Sequence, residues 1–150
     1  YFLRELRPGV REMLAGLKAR GYRIGVISNN ASLYNVFNVL EGYGIREYME
    51  DVEVSSITGY RKPHPEIFRI SMKQMQEKPE NCVYVGDTLS RDVIGSKEFG
   101  FGKAVYIQSF LSAQKDVGVV SSIQPDVTIQ NMDELIPWLD SVNSEMNSKS

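Results

Sequence analysis

Hydrophobic positions along the chain follow two rhythms, one helical and one continuous, and the two alternate. In LRPGVREMLAGLKARGY, Val10, Met13, Leu14 and Leu17 share one helical stripe that Gly21 should close. RIGVIS, Arg23 to Ser28, is short and nearly unbroken, as a strand covered on both faces would be. NNASLYNVFNVLEGYG restores the helical spacing through Leu33, Val36, Phe37 and Leu40, then breaks at Gly42 and Gly44. DVEVSS predicts a strand and ITGYRKPHP a loop. EIFRISMKQMQ predicts a helix with Ile67, Ile70 and Met75 inward. CVYVG reads as a strand, RDVIGSKEFG as a helix, KAVYI as a strand and DVTI as a last short strand. MDELIPWLDSV is a closing helix carrying Trp138 and Leu139. The polar NSEMNSKS should fray, which sets a core of residues 1–142 and a disordered tail of 143–150.

Such alternation, with strands apolar on both faces, predicts an α/β fold: a mainly parallel sheet between two helical layers, joined by right-handed crossovers. Ligands of such sheets gather beyond the C-terminal ends of the strands. That places attention on Ser28 to Asn30, on the loop near Lys62, and on Gly86 to Asp92. Composition narrows the field. The 150 residues suit one domain, and a net charge of −2 offers no basic field for nucleic acid. No apolar run approaches bilayer length, and no signal-peptide pattern is present, so no membrane partner is expected. The single Cys82 has no internal disulfide partner, which fits a reducing cytoplasm.

Three places could carry chemistry. In CVYVGDTLSRDVIG, Asp92 follows Asp87 by five positions. On one continuous helix the two would diverge by roughly 140°. If Asp87 ends the strand and Asp92 opens the next helix, the loop between can turn both inward, with Gly86 permitting the sharp bend. Two converging carboxylates call for a cation or a shared proton, and Mg2+ suits the pattern. Equally, Asp92 is a residue favoured by a helix N-terminus and Asp87 a turn former. In VISNN, the Ser28 hydroxyl and nearby backbone N–H groups make an anion site, or Asn30 or Ser32 merely caps the next helix. Lys62, held by Pro63 and Pro65 in YRKPHP, either neutralises a phosphate or is a solvated loop cation. His64, between those prolines and without a second histidine, reads as loop surface, and Cys82 as core.

The ordered set of strand–Ser, Lys-Pro loop and strand–Gly-Asp-x4-Asp resembles the haloacid dehalogenase (HAD) superfamily of hydrolases. The resemblance runs from LRPGVREMLAGLKARGYRIGVISN through GYRKPHPEIF to YVGDTLSRDVIGSKEFGF. It implies a Rossmann-like three-layer sandwich, and it implies roles. Ser28, with the Asn29 backbone, would bind the phosphoryl group, and Lys62 would balance charge on nucleophile and phosphate. Asp87 would ligate Mg2+ with Asp92 as its supporting acid. The implied reaction is Mg2+-dependent hydrolysis of a small phosphorylated metabolite through an aspartyl-phosphate. The family's first motif, Asp-x-Asp after an apolar strand, does not occur in the sequence. Asp51-Val52-Glu53 imitates it but falls on the strand before the lysine loop. With the start at Tyr1, the expectation is the C-terminal part of a longer enzyme, without cap, without the family's first strand, and inactive alone. That strand would lie centrally, between those at Arg23–Ser28 and Cys82–Gly86, so its neighbours would lose pairing or re-pair. The alternative is a non-catalytic HAD-like module binding a phosphorylated ligand or a protein partner.

Overall fold

The structure, a computed structural model, describes residues 10–28, 46–54, 58–60, 62–108 and 122–148. The helix foreseen for 29–44 therefore lies outside the described residues. Helix α1 (Val10–Ala19) turns Met13, Leu14 and Leu17 inward, as their spacing predicts. It closes at Gly21, whose φ of 85° suits a residue without a Cβ, and Tyr22 N–H reaches back to the Leu17 carbonyl at 3.0 Å.

Five strands lie in the predicted places: β1 (Gly25–Ser28), β2 (Asp51–Val54), β3 (Val83–Gly86), β4 (Lys103–Ile107) and β5 (Val127–Ile129). Each described pairing is parallel, but the strands form two sheets, β1-β2 and β3-β4-β5. Among the described residues β1 and β3 do not pair. The sheet has not closed on itself across the place where the family resemblance puts a further strand.

Two helical layers complete the sandwich. On one face α1 and the C-terminal helix α4 (Leu135–Ser148) enclose Val105, Ile107 and Ile129, with Val52 and Val85 packed alongside. On the other, α2 (Pro65–Met75) sets Ile67, Phe68 and Met72 against Ile27, Phe101 and Tyr84. Helix α3 (Gly95–Phe99) continues that layer. Strand β4 shows why its sequence runs apolar without alternation: Val105 and Ile107 join the first cluster, Ala104 and Tyr106 the opposite face.

Two expectations need revision. Ile70 is only half-buried, because the α2 stripe centres on Ile67, Phe68, Ser71, Met72 and Met75. Helix α4 does not stop at residue 142 but runs to Ser148. No glycine or proline comes after Pro137, and Pro137 itself sits in the first turn, where its missing N–H breaks no helical bond. Among the described residues no helix is long and apolar enough to cross a membrane.

Between β1 and β3 lies a cavity of about 500 Å3, bordered by Gly25–Ile27 on one side and Val83–Gly86 on the other. Lys62 and Asp92 also line it.

Candidate active site

The chain after β3 makes a tight reversal that carries the charged groups. Asp87 leaves the strand half-buried, Thr88 is the capping residue, and Leu89–Ile94 form a π-helical turn leading into α3. The Val93 N–H bonds the Thr88 carbonyl at 3.2 Å, the five-residue closure of such a turn. This wide turn drives the Asp92 side chain back under β3, where it is 3% exposed. Gly86 is needed for that approach: a Cβ there would overlap the Asp92 Cβ and Cγ.

Asp92 is held from three sides. Thr88 donates its backbone N–H at 3.1 Å and its hydroxyl at 2.9 Å to Oδ2. Oδ1 accepts the Lys62 ammonium at 2.5 Å and the Tyr84 hydroxyl at 3.4 Å. The Lys62 and Asp92 side chains are only 8% and 4% exposed, so the pair is removed from bulk water. Lys62 Nζ also stands 5.8 Å from the centre of the Tyr84 ring, within cation–π reach. Burial, the largest single influence, pushes the Asp92 carboxyl up. The Lys62 charge and the hydrogen bonds from Lys62 and Thr88 outweigh it and hold Asp92 below the usual carboxylate range. Burial, with the Asp92 charge and hydrogen bond behind it, pushes the Tyr84 hydroxyl well above its ordinary value, so it stays a donor.

The loop before α2 is built to deliver Lys62. Pro65 is the first residue of α2 rather than part of an extended loop, and exposed His64 is its N-cap, with Nδ1 accepting the Glu66 N–H at 3.1 Å. His64 is thus a capping residue as well as surface. Pro63 packs against Gly95, where a Cβ would come within 2.8 Å of the proline ring. The lysine loop and the aspartate loop are fitted to each other at Gly95 and joined at the Lys62–Asp92 pair.

Of the residues singled out from sequence, the structure brings Lys62 and Asp92 into direct contact and sets Asp87 on the same loop as Asp92. Ser28 is the last residue of β1, in register with Val54, and its side chain lies outside the described residues, as does Asn29 entirely. Asp51 and Glu53 face α2, where the Ser71 hydroxyl donates to Asp51 Oδ2 at 3.2 Å. Asp51 opens β2 and Glu53 lies within it, so neither stands beyond the strand's C-terminal end, which agrees with setting them aside. Cys82 is half-buried, its thiol pushed up by burial although Arg23 acts the other way. Sequence reasoning missed Thr88 and Tyr84. A hydroxyl just ahead of a helical run is a recognisable cap signal and would have found Thr88. Nothing local marks Tyr84, whose neighbours come from α2 and from residues 62 and 92.

The paired charges stand just beyond the C-terminal end of parallel strand β3, where ligands of α/β sheets gather. A family model described as haloacid dehalogenase-like hydrolase matches residues 2–100, and the chain belongs to that family. It is 34% identical over 116 residues to a glyceraldehyde 3-phosphate phosphatase of Pyrococcus furiosus, which covers 77% of this chain and 47% of that protein. It is 31% identical over 139 residues to haloacid dehalogenase-like hydrolase domain-containing protein 3 of Bos taurus, covering 91% of this chain and 52% of that one. A HAD phosphatase from Thermococcus onnurineus shares the fold with a TM-score of 0.75 at 27% identity, over 90% of this chain and 58% of its own. The chain thus spans about half the length of the curated relatives it matches.

Proposed function

We propose that this chain forms the phosphate- and metal-handling part of a Mg2+-dependent phosphatase acting on a small phosphorylated metabolite. The observation that carries the reading is the buried Lys62–Asp92 pair beside Asp87, where β3 ends. Relatives named as phosphatases of glyceraldehyde 3-phosphate and of phosphoglycolate support the substrate class.

The donor set fits Mg2+ in part. Among the described residues there is no cluster of three or more His, Cys, Asp or Glu, so no all-protein cage exists. Mg2+ does not require one, since it commonly takes one or two carboxylates with water and phosphate oxygens. Asp87 is the fitting direct ligand. Both Asp92 oxygens already accept hydrogen bonds, so Asp92 supports the site by fixing Lys62. When bound, the ion would offset charge on the phosphate. Lys62, oriented by Asp92 and Tyr84, presents a cation whose place is set before substrate arrives. Ser28 and the Asn29 backbone bind phosphoryl oxygens. Transfer of phosphoryl to a carboxylate needs the Asp-x-Asp that this sequence lacks, so the chain alone is inactive.

Joining an N-terminal part that carries Asp-x-Asp and assaying p-nitrophenyl phosphate should give hydrolysis that stops when Mg2+ is chelated. Metal-independent halide release with no phosphatase activity would overturn the reading. The missing Asp-x-Asp favours a second reading, a HAD-like module that binds a phosphorylated ligand without turnover. Phosphate binding by the joined protein with no hydrolysis would select it.

A further inference from the structure

We infer that Arg91 determines substrate choice by receiving a carboxylate on the leaving group, so that the site takes a phosphorylated carboxylic acid in preference to a neutral phosphomonoester. The inference rests on the phosphatase reading and narrows its substrate class.

Placement is the first support. Arg91 precedes Asp92 on the π-helical turn and follows Asp87 by four positions. Its Cα is therefore about 3.8 Å from that of the aspartate bonded to Lys62. Residues four apart meet on this turn, since the Thr88 hydroxyl donates to Asp92 Oδ2 at 2.9 Å. Thr88 and Asp92 are buried, whereas Asp87 and Arg91, each one position earlier, are half-buried. The turn thus has a closed side that holds the Lys62–Asp92 pair and a partly open side that carries Asp87 and Arg91.

Charge is the second. Arg20, Arg23 and Arg69 are exposed, and each still meets a carboxylate, at 3.2, 2.7 and 2.7 Å. Arg91 is better covered, yet no carboxylate among the described residues lies within ion-pair distance of it. A guanidinium drawn partly out of water without a counter-charge is costly, and an arriving anion removes that cost. The phosphoryl oxygens of the proposed substrate are served by Lys62, Ser28 and the Asn29 backbone, which leaves Arg91 for a second anionic group. The planar N–H fork of a guanidinium matches the two oxygens of a carboxylate.

The test titrates the whole chain, with Mg2+ present, against two phosphonates that cannot be hydrolysed, 4-phosphonobutanoate and its neutral amide, and follows binding by calorimetry. The acid should bind at least about tenfold tighter than the amide. Arg91→Gln should bring the ratio of the two affinities to about one through loss of acid binding. If a thermal melt shows that variant unfolded, Arg91→Lys takes its place; it keeps the charge, loses the fork, and should lower the ratio at least about threefold. A ratio unchanged in the folded variant would overturn the inference. Equal weakening of both ligands would overturn it too, by making Arg91 a phosphoryl contact. Equal binding of acid and amide by the unaltered chain would overturn the inference and leave the phosphatase reading standing. Binding of neither ligand would remove that reading and the inference together.

Discussion

A lysine and an aspartate, each under a tenth exposed at the side chain, meet at 2.5 Å and anchor two loops that are remote in sequence. Removing one member of such a pair strands the other in a dry site, at a cost of about 3–5 kcal/mol. Asp92→Ala should therefore abolish cooperative folding or lower the urea midpoint sharply. A Lys62→Met, Asp92→Leu double variant should lose less than either single change, which a double-mutant cycle would show. The Asp92 carboxyl lies below its ordinary range in the fold, so its contribution is present above ordinary carboxylate pKa values. It is lost as the pH falls through the lowered value. Gly86→Ala would force Asp92 out of place and should cost about 1–3 kcal/mol, read from the same urea curves. Sequence alone named Lys62, Asp87 and Asp92 but treated the lysine as a separate candidate. The bond between residues 62 and 92 became visible only when the loops were brought together.

At the scale of elements, β2 carries a titration of its own. Glu53 and Asp51 share one side of the strand, and Glu53 is pushed up to about 7, by burial first and then by the charge and hydrogen bond of Asp51. The folded state then holds a proton that the unfolded chain releases nearer pH 4.5. Stability from this group falls as the pH rises from about 4.5 to about 7, and the deficit stays constant above that. Solvent around this partly exposed pair weakens the effect. Glu53→Gln should raise the melting temperature at pH 8 by about 1–2 °C and leave it nearly unchanged at pH 4, as thermal melts at the two pH values would show. The elements themselves were largely legible. Period and breakers located α1, β1 to β5 and the start of α4, since each is short and bounded by Gly, Pro or a polar run. The π-helical turn was not legible, because its cause is a side-chain return from Asp92 to Thr88 and Gly86 rather than a propensity.

For the whole molecule the divided sheet is the governing feature. Two sheets share helical layers on both faces, yet β1 and β3 leave a cavity of about 500 Å3 between them. Buried polar groups without partners cost about 1–3 kcal/mol each, and a domain's whole stability is about 5–15 kcal/mol. The isolated chain should accordingly melt early and broadly, with a shallow urea transition. A sharp cooperative melt at high temperature from a monomer would contradict this.

Read alone, the sequence determined the α/β class, the order of strands and helices, and which residue types stand at the strand ends. Those come from period, breakers and local chemistry, which each short segment carries by itself. Only the tertiary structure decided that Lys62 belongs to Asp92, that Thr88 and Tyr84 hold the pair, and that β1 and β3 stand apart. Those depend on contacts between residues far apart along the chain, where burial and mutual charge set the outcome and no local pattern records it.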